Sequence, residues 1–367
     1  MTPQPGLIPT RLSGDLRRGG WLLDGYVDGD IDLVSRGRNW RGEGKGLAGY
    51  IDSAWRGWFD GHILADSDFT FGRYGSRATV QAGTADAFLR GESIQDISFA
   101  VAASPANSHE ATSWKFANVV EHILQYHCNY IYDATGAAGS PDGWITEMAI
   151  DTTDSTAFEV FIVNQSDNMW RVLQQIGGGD EGGGDFHWPW FDRNNKFWYQ
   201  LAPPFRGLTS RGTIDKSHLR GQVQVKRNNS QPGQRVGQVQ LTAVKNPTTV
   251  YTAKYPASVS SGRIVKMDSG VWASSQTIAN TRAQQLYEWL TRPYTVVIQV
   301  DPGLVLFETL DLSQKITLSY AGSVEDATTG HGMTLDLSGD YFIYKMDVSF
   351  NPADRTATAT IEMEADN

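Results

Sequence analysis

FHWPWFDRNNKFWYQL, at residues 186–201, consists of two apolar runs around a polar centre. The runs cover residues 186–191 and 196–201, and Asp192, Arg193, Asn194 and Asn195 separate them. Apolar runs of this length around turn-forming Asp and Asn residues predict a β-hairpin. Pro203 and Pro204 follow directly and indicate a boundary.

Strand patterns continue on both sides of this hairpin. The segments GQVQVK (221–226) and VGQVQL (236–241) alternate strictly, which is typical of strands with one buried face. We expect them to pair with each other and to bury Val223, Val225, Val239 and Leu241, with the glutamines facing solvent or a partner. Short apolar groups, such as those at 31–34 and 58–59, fill residues 21–82 and indicate an antiparallel β region. Further strands are predicted at 159–163, 294–300, 315–320, 341–350 and 356–363.

Three segments have the apolar spacing of amphipathic helices. They are residues 112–127, 168–176 and 274–291, and Pro293 ends the last one. A shorter helix of one or two turns is predicted over residues 85–91.

The composition is that of a globular protein. The chain has 367 residues, of which 40% are hydrophobic and 20% charged, so disorder of the whole chain is excluded. Its 38 glycines favour many turns and short strands. No apolar run approaches the roughly 18 residues of a membrane span, the first residues lack an apolar signal core, and the single cysteine, Cys128, excludes an internal disulfide and a cysteine-based zinc site.

Charge is distributed unevenly along the chain. The total of −10 argues against general affinity for duplex nucleic acid. Residues 61–204 hold 7 basic and 18 acidic groups, residues 205–300 hold 13 and 3, and residues 301–367 hold 3 and 12. The resulting net charges are −11, +10 and −9. The basic stretch fits a nucleic-acid strip poorly, and an acidic surface in the same chain or in another subunit would pair with it equally well.

Metal-binding patterns are weak. The seven histidines show no pair with the spacing of a helix-face site or a zinc finger. Asp185 and His187 lie two residues apart, but a polar pair entering a hairpin is the simpler interpretation. Asp28, Asp30 and Asp32 alternate without the glycine and glutamate of a calcium loop, so no metal or cofactor is expected.

A carbohydrate-binding module or glycan hydrolase is the alternative function. Trp188, Trp190 and Trp198 could form a stacking platform for sugar, with Asp180 and Glu181 of the glycine-rich loop 177–184 as acids. Adjacent carboxylates cannot hold the separation of roughly 5–9 Å that glycosidases need. No nucleophile motif accompanies them, so the chain is not expected to be an enzyme.

Three stretches together resemble a known protein family. The first is GWFDGHI (57–63) followed by ADAFLR (85–90), the second is NMWRVLQQIG (168–177) followed by FDRNNK (191–196), and the third is AQQLYEWL (283–290) before LDLSQKI (310–316). In order and local pattern, from about residue 15 onward, the chain resembles the baseplate hub of tailed bacteriophages, the family that includes the late control protein D.

The resemblance implies a β-rich fold with an α/β insertion. Two tube-type β-barrel domains are expected, the first from residues 12–100 together with 205–245 and the second from residues 246–367, which includes the helix 274–291. An inserted α/β domain is expected at residues 103–204. The sequence ends without a fused lysozyme or fibre domain, so wall degradation and receptor binding are expected of other chains.

The resemblance also implies a function and partners. It describes a structural hub at the virion tail tip, assembled in the host cytoplasm, in which a homotrimer joins the tail tube to the tip and lets DNA pass. The implied partners are a distal tail protein or tail tube ring, a tape-measure protein, and tail fibre or receptor-binding proteins.

Passage of DNA sets a requirement on the channel wall. Lys or Arg contacts would hold the duplex by releasing counterions, so an acidic wall is expected. The candidate lumen-lining residues are Asp311, Asp336, Asp340 and Asp347, and residues 205–300 are expected to face neighbouring subunits or an outer ring.

Overall fold

Strands dominate the described part of the chain. The computed structural model describes residues 7–28, 44–51, 54–64, 69–72, 75–91, 93–127, 147–153, 155–163, 168–178, 184–203, 206–227, 235–246, 249–259, 261–292, 294–301, 310–325, 332–351, 353–354 and 356–366. Strands account for 51% of the structure and helices for 18%. The predicted β-rich fold class is therefore confirmed. The apolar group at residues 31–34 lies outside the described residues.

Twenty-five strands and four α-helices are described. The strands are β1 (Leu7–Asp15), β2 (Gly20–Asp28), β3 (Gly44–Ile51), β4 (Ala54–Ile63), β5 (Phe69–Gly72), β6 (Gly75–Gly83), β7 (Ile97–Val101), β8 (Glu110–Ala111), β9 (Trp114–Lys115), β10 (Met148–Ile150), β11 (Ala157–Phe158), β12 (Val160–Val163), β13 (His187–Phe191), β14 (Phe197–Leu201), β15 (Thr213–Asp215), β16 (Gln224–Arg227), β17 (Val236–Asn246), β18 (Thr249–Tyr255), β19 (Arg263–Trp272), β20 (Tyr294–Val300), β21 (Lys315–Ser319), β22 (Ala321–Glu325), β23 (Gly332–Asp336), β24 (Gly339–Asn351) and β25 (Thr356–Ala365). The helices are α1 (Asp86–Leu89), α2 (Phe116–Tyr126), α3 (Met169–Gly177) and α4 (Gln276–Leu290).

Side chains cap the N-termini of two of the helices. The Asn168 side chain accepts a hydrogen bond from the backbone of Arg171 and caps α3, which ends at Gly178 in the left-handed region. The Ser275 hydroxyl accepts one from Ile278 and caps α4. All four helices predicted from the sequence are present, with ends that shift by one to four residues. None of those in the described ranges has the length and apolar character needed to span a bilayer.

Twelve strands form one large sheet that contains both ends of the described chain. Its order is β16-β20-β25-β24-β1-β2-β6-β4-β3, with β21 beside β24, β15 beside β21, and β5 beside β6. The central contact is antiparallel, between β1 and β24, with Leu12 opposite Val348. Strands β1–β6 from the first part of the chain and β20, β21, β24 and β25 from its last part therefore share one hydrogen-bonded sheet. The division into two tube domains stays a prediction.

A separate three-stranded sheet contains β17, β18 and β19, and α4 packs on it. The predicted pairing of residues 222–226 with 238–241 is wrong, because β16 pairs with β20 and β17 pairs with β18 and β19. Val239 and Leu241 are buried as expected, whereas Val223 and Val225 are half-buried against the core of the large sheet. The domain boundary expected between residues 245 and 246 falls inside the β17–β18 pair. Residues 236–246 therefore pack with the segment that follows them.

Helices α1, α2 and α3 and strands β7, β8, β9, β11 and β12, together called the inserted region, have a core of their own. Helices α2 and α3 contribute Phe116, Val120 and Leu173, and the small sheet β12-β7-β8 contributes Phe99. This core begins at Ala85, so residues 85–101 pack with the insertion predicted for residues 103–204.

The hairpin predicted at residues 186–201 is confirmed and lies where three cores meet. Strands β13 and β14 pair antiparallel, with Trp190 opposite Trp198. One face of the hairpin packs into the core of the inserted region, the other face packs into the core of the large sheet, and its open end reaches the core beneath α4. The core of the inserted region receives Phe191, Phe197 and Tyr199. The core of the large sheet receives Trp188, Trp190 and Trp198, and the core beneath α4 receives Phe186 and Leu201.

A glycine allows the β1–β2 turn to approach this hairpin. Gly19 has φ +93°, and its carbonyl accepts a hydrogen bond of 2.8 Å from the backbone of Phe191. A Cβ at this position would lie 1.9 Å from the ring of Trp170. Both the backbone conformation and the close contact therefore require glycine.

Val239→Asp tests the core beneath α4. Val239 is fully buried, so an unpaired carboxylate there should lower the free energy of unfolding by about 3–5 kcal/mol. Val250→Asp on β18 is the control, because Val250 is 52% exposed. Urea unfolding of both variants checks this, and equal midpoints would contradict the assignment of Val239 to this core.

Candidate functional site

The large sheet has a polar face on the side away from its core. On β20, β25, β24, β1 and β2, every second side chain points away from the core. The uncharged ones that are exposed or half-buried include Ser13, Gln299, Ser349, Thr358 and Thr360. Cross-strand register aligns them, since Ser349 lies opposite Thr358 and Gln299 lies opposite Thr360. We call this surface the polar face.

Carboxylates outnumber basic groups on the polar face. The acidic side chains are Asp15, Asp24, Asp347, Glu362 and Glu364, and the basic ones are Arg11, Lys226 and Lys345.

Several of these charges are paired within the chain. Asp347 forms an ion pair with Arg11, and Glu362 lies 3.6 Å from Lys226. Glu364 is buried between Arg17 at 3.1 Å and Arg292 at 3.2 Å. The polar face is therefore hydrophilic with only a small excess of negative charge.

The four candidate aspartates do not come together. Asp347 lies on the polar face. Asp340 lies at one end of β24, where it accepts a hydrogen bond from Thr317 and pairs with Lys315 at 3.0 Å. Asp336 is exposed at the end of β23 and accepts a bond from the backbone of Ser338. The role of these three in a channel stays a prediction.

Asp311 is buried, so its prediction as a lumen-lining residue is wrong. Its carboxylate accepts hydrogen bonds from Trp21 Nε1 at 3.1 Å, from the backbone of Arg193 at 3.0 Å and from the backbone of Leu312 at 2.7 Å. It therefore joins β2 to the turn of the hairpin. Burial raises the pKa of Asp311 to about 6, although the Arg193 guanidinium, 3.3 Å away, acts in the opposite direction.

The basic segment 205–300 meets acidic groups of the same chain. Ion pairs link Arg220 to Asp301 at 2.7 Å and Lys245 to Glu159 at 3.0 Å, in addition to those of Lys226 and Arg292. The sequence left open whether the basic segment pairs with acidic groups of the same chain or of another subunit. Pairing within the chain accounts for part of its positive charge.

The tryptophans of the hairpin do not form an exposed platform for sugar. Trp188 is 2% exposed and packs against Trp289 and Tyr344, and Trp190 is 3% exposed. Trp198 is half-buried, stacks on Trp190, and donates from Nε1 to Asp192 at 2.8 Å. Stacking on a glycan requires an accessible ring face, so this hairpin does not provide the alternative function. Asp180 and Glu181 lie outside the described residues.

Asp185 and His187 belong to a buried polar network. Asp185 accepts hydrogen bonds from Ser155 Oγ at 2.5 Å, from the backbone of Thr156 at 2.6 Å and from the Tyr199 hydroxyl at 3.3 Å. The ring of His187 stacks on Tyr199. These donors occupy the Asp185 carboxylate, so the pair lacks the open oxygen that a metal ion would need. Asp30 and Asp32 of the other weak pattern lie outside the described residues.

A group of three histidines was missed in the sequence. His109, His122 and His127 place ring nitrogens within 4.8 Å of one another. His122 and His127 are five residues apart at the end of α2, and His109 comes from the turn before β8. Neither the five-residue separation of His122 and His127 nor the separation of His109 from either of them matches a common ligand motif. Only the tertiary structure therefore reveals the group. Burial, with a further contribution from the two neighbouring imidazoles, lowers the pKa of His122 to about 4.

Comparison with known proteins relies on structure. The sequence matches no protein-family model and no curated protein sequence. The structure is similar to that of a tail protein from Neisseria meningitidis MC58, with a TM-score of 0.61, 11% identity, and coverage of 98% of this chain and 93% of that one. The chain has the fold of phage tail proteins. A 43 kDa tail protein from prophage MuSo2 of Shewanella oneidensis also shares it, with a TM-score of 0.55, 11% identity and coverage of 98% and 94%.

The tail-protein fold extends to a secretion machine. The E. coli c3393 protein is described as a component of the type VI secretion system with structural similarity to T4 bacteriophage tail proteins gp27 and gp5. It aligns with a TM-score of 0.53 and 11% identity, over 99% of this chain and 75% of that one. The tail-protein fold therefore includes the large sheet, the inserted region and the hairpin between them.

Asp311→Asn tests the buried carboxylate through the pH dependence of stability. Because the folded pKa of about 6 exceeds the ordinary aspartate pKa of 3.8, the folded state holds the proton more tightly. Stability contributed by this group is therefore lost as pH rises from about 4 to 6, by up to about 3 kcal/mol. Asp311→Asn should remove that part of the pH dependence.

The measurement is urea unfolding at pH 4.5 and 6.5 for parent and variant. Asp336→Asn serves as the control, because Asp336 is exposed and its replacement should leave the parent's difference between the two pH values unchanged. An identical pH dependence in Asp311→Asn and the parent would show that Asp311 is ionised throughout.

Proposed function

We propose that the chain is a structural subunit of a phage tail that acts as the baseplate hub at its distal end. In this role a homotrimeric ring joins the tail tube to the tip and lets DNA pass. The observation that carries the proposal is the tail-protein fold, which covers 98% of this chain in the alignments with the Neisseria meningitidis tail protein and the prophage MuSo2 tail protein. The role is one of surfaces, with no catalytic residue.

The large sheet offers the polar face as a wall for the channel. A DNA duplex carries one negative charge per about 1.7 Å of its axis, so a wall rich in unpaired Lys and Arg would retain it. The polar face instead presents Ser, Thr and Gln side chains between paired charges. Such a surface stays hydrated without attracting phosphates, which suits DNA in transit.

The edges of the same sheet support assembly into a ring. In the described part of the chain, β16 and β3 end the order of the large sheet. An uncovered edge strand presents unpaired backbone groups, and closed symmetric assemblies cover such edges. The partners proposed for the ring are a distal tail protein or tail tube ring, a tape-measure protein, and tail fibre or receptor-binding proteins, all within the virion tail tip.

The oligomeric state gives the first test of this role. The full chain has a mass of 40.5 kDa, and we expect light scattering coupled to size-exclusion chromatography to give a mass three times as large. Dilution over two orders of magnitude tests whether the assembly is specific. A monomer at every concentration would contradict the trimeric ring.

Added positive charge on the polar face gives the second test. Gln299→Lys and Thr358→Lys each place a lysine at an exposed position of this face without removing an ion pair. Particles that carry either variant should assemble normally and eject DNA more slowly than the parent. The delay should grow as salt falls, because phosphate contacts release counterions.

Matched controls place the same charge elsewhere. Val250→Lys and Thr252→Lys alter exposed residues of β18, which belongs to the other sheet. A dye that reports released DNA measures ejection at two salt concentrations. If the polar-face and β18 variants eject at the same rate, the polar face does not line the channel, whatever the oligomeric state.

A further inference from the structure

We propose that His109, His122 and His127 form a binding site for a divalent transition-metal ion, with Zn²⁺ as the ion that fits best. The site lies in the inserted region. It does not depend on the proposed role in the tail.

Two parts of the inserted region, helix α2 and the turn before β8, place the histidines. His122 lies on α2, and His127 is the residue at which α2 ends, with its backbone donating to Ile123. His109 precedes β8, its backbone N–H donates to the side chain of Asn107, and its carbonyl accepts from Ala100 on β7. The backbone at each of the three positions is thus held by local hydrogen bonds.

The three rings form a nearly equilateral triangle. The ring centroids of His109 and His122 lie 5.1 Å apart, those of His122 and His127 lie 5.5 Å apart, and those of His109 and His127 lie 5.6 Å apart. The ring nitrogens that could serve as ligands lie within 4.8 Å of one another. Nitrogens around a tetrahedral zinc ion lie about 3.3 Å apart. Ring rotations that bring the nitrogens roughly 1–1.5 Å closer to one another therefore close the site.

Two nitrogens of the group are buried without a partner. The Nε2 atoms of His122 and His127 are inaccessible to solvent and make no hydrogen bond. Buried polar atoms in folded proteins are rarely left in this state, and a metal ion gives both lone pairs a partner.

The surroundings hold the rings in place and favour neutral imidazole. Phe99 makes edge contacts with His109 and His122, and Trp114 makes one with His122. The ring of Tyr126 lies 4.6 Å from that of His122. His122 is 8% exposed, so its ring sits in an apolar pocket that excludes competing water.

The donor set selects the class of ion. Imidazole nitrogens suit Zn²⁺, Co²⁺, Ni²⁺ and Cu²⁺, whereas Mg²⁺ and Ca²⁺ prefer oxygen ligands. Three histidines leave a fourth tetrahedral position for water. A bound ion would fasten the turn before β8 to the end of α2 and so stabilise this part of the inserted region.

Zinc content and affinity of the full chain test the site. The chain is purified without a histidine tag, treated with EDTA, dialysed against micromolar ZnCl₂ and analysed by mass spectrometry for metal. We expect one zinc per chain and a rise in melting temperature on zinc addition. Less than a tenth of a zinc per chain would overturn the proposal.

Variants assign the binding to the three rings. His109→Gln and His127→Gln each remove a half-buried ligand, and His122→Phe removes the buried one while keeping an aromatic ring against Phe99 and Trp114. Each should weaken zinc binding by more than about tenfold, measured by competition with a chromophoric chelator. His218→Gln is the control, since His218 lies outside the group and should leave zinc content unchanged.

Melting temperatures in EDTA show whether each variant folds. A variant that melts like the parent in EDTA but has lost the shift on zinc addition supports the site. Parent-like zinc affinity in both His109→Gln and His127→Gln would place the ion elsewhere and overturn the assignment.

Discussion

The hairpin His187–Leu201 must fill three hydrophobic cores at once, and the rest of the structure depends on this constraint. Because side chains on a strand alternate between two faces, both faces of the hairpin carry large apolar groups. Phe191 and Tyr199 serve the inserted region, and Trp188 and Trp190 serve the large sheet. Buried carboxylates fix its two ends, since Asp185 holds the start through Ser155 and Thr156, and Asp311 holds the turn through Arg193. The inserted region is therefore tied to the large sheet by packing and by charge.

The acidic and basic segments, which are separate along the sequence, lie next to each other in the folded chain. Segments of opposite sign meet in ion pairs such as Arg292 with Glu364 and Arg220 with Asp301. The first pair is buried, so its desolvation cost offsets much of its attraction, and the second is exposed, so solvent screens it. Both pairs therefore position strands relative to one another more than they add stability. On the polar face, uncharged hydroxyl and amide groups lie between these charges, and only a small excess of carboxylates is left.

The helices and the hairpin could be predicted from the sequence, whereas the pairing between strands distant in sequence could not. The helices α2, α3 and α4 and the hairpin have periodicities that are set within a few residues, so each was predicted in place. The partner of the strand at Gln224–Arg227 is set by β20, about seventy residues further on, and nothing in its alternating pattern specifies that choice. The same limit applies to the candidate sites. The carboxyl group of Asp311 and the three histidines acquire their surroundings from segments distant in sequence.

The contact between β1 and β24 determines when the large sheet can be completed. Arg11 and Asp347 form an ion pair across 336 residues of sequence, so β1 meets its neighbour only after all the residues between them have been synthesised. At about 5–20 residues per second, a ribosome takes roughly 20–70 s to reach β24. During that time the β1–β2 pair has one edge without its final neighbour. Completion of the large sheet therefore waits for β24, and the nascent chain needs protection of this edge until β24 emerges.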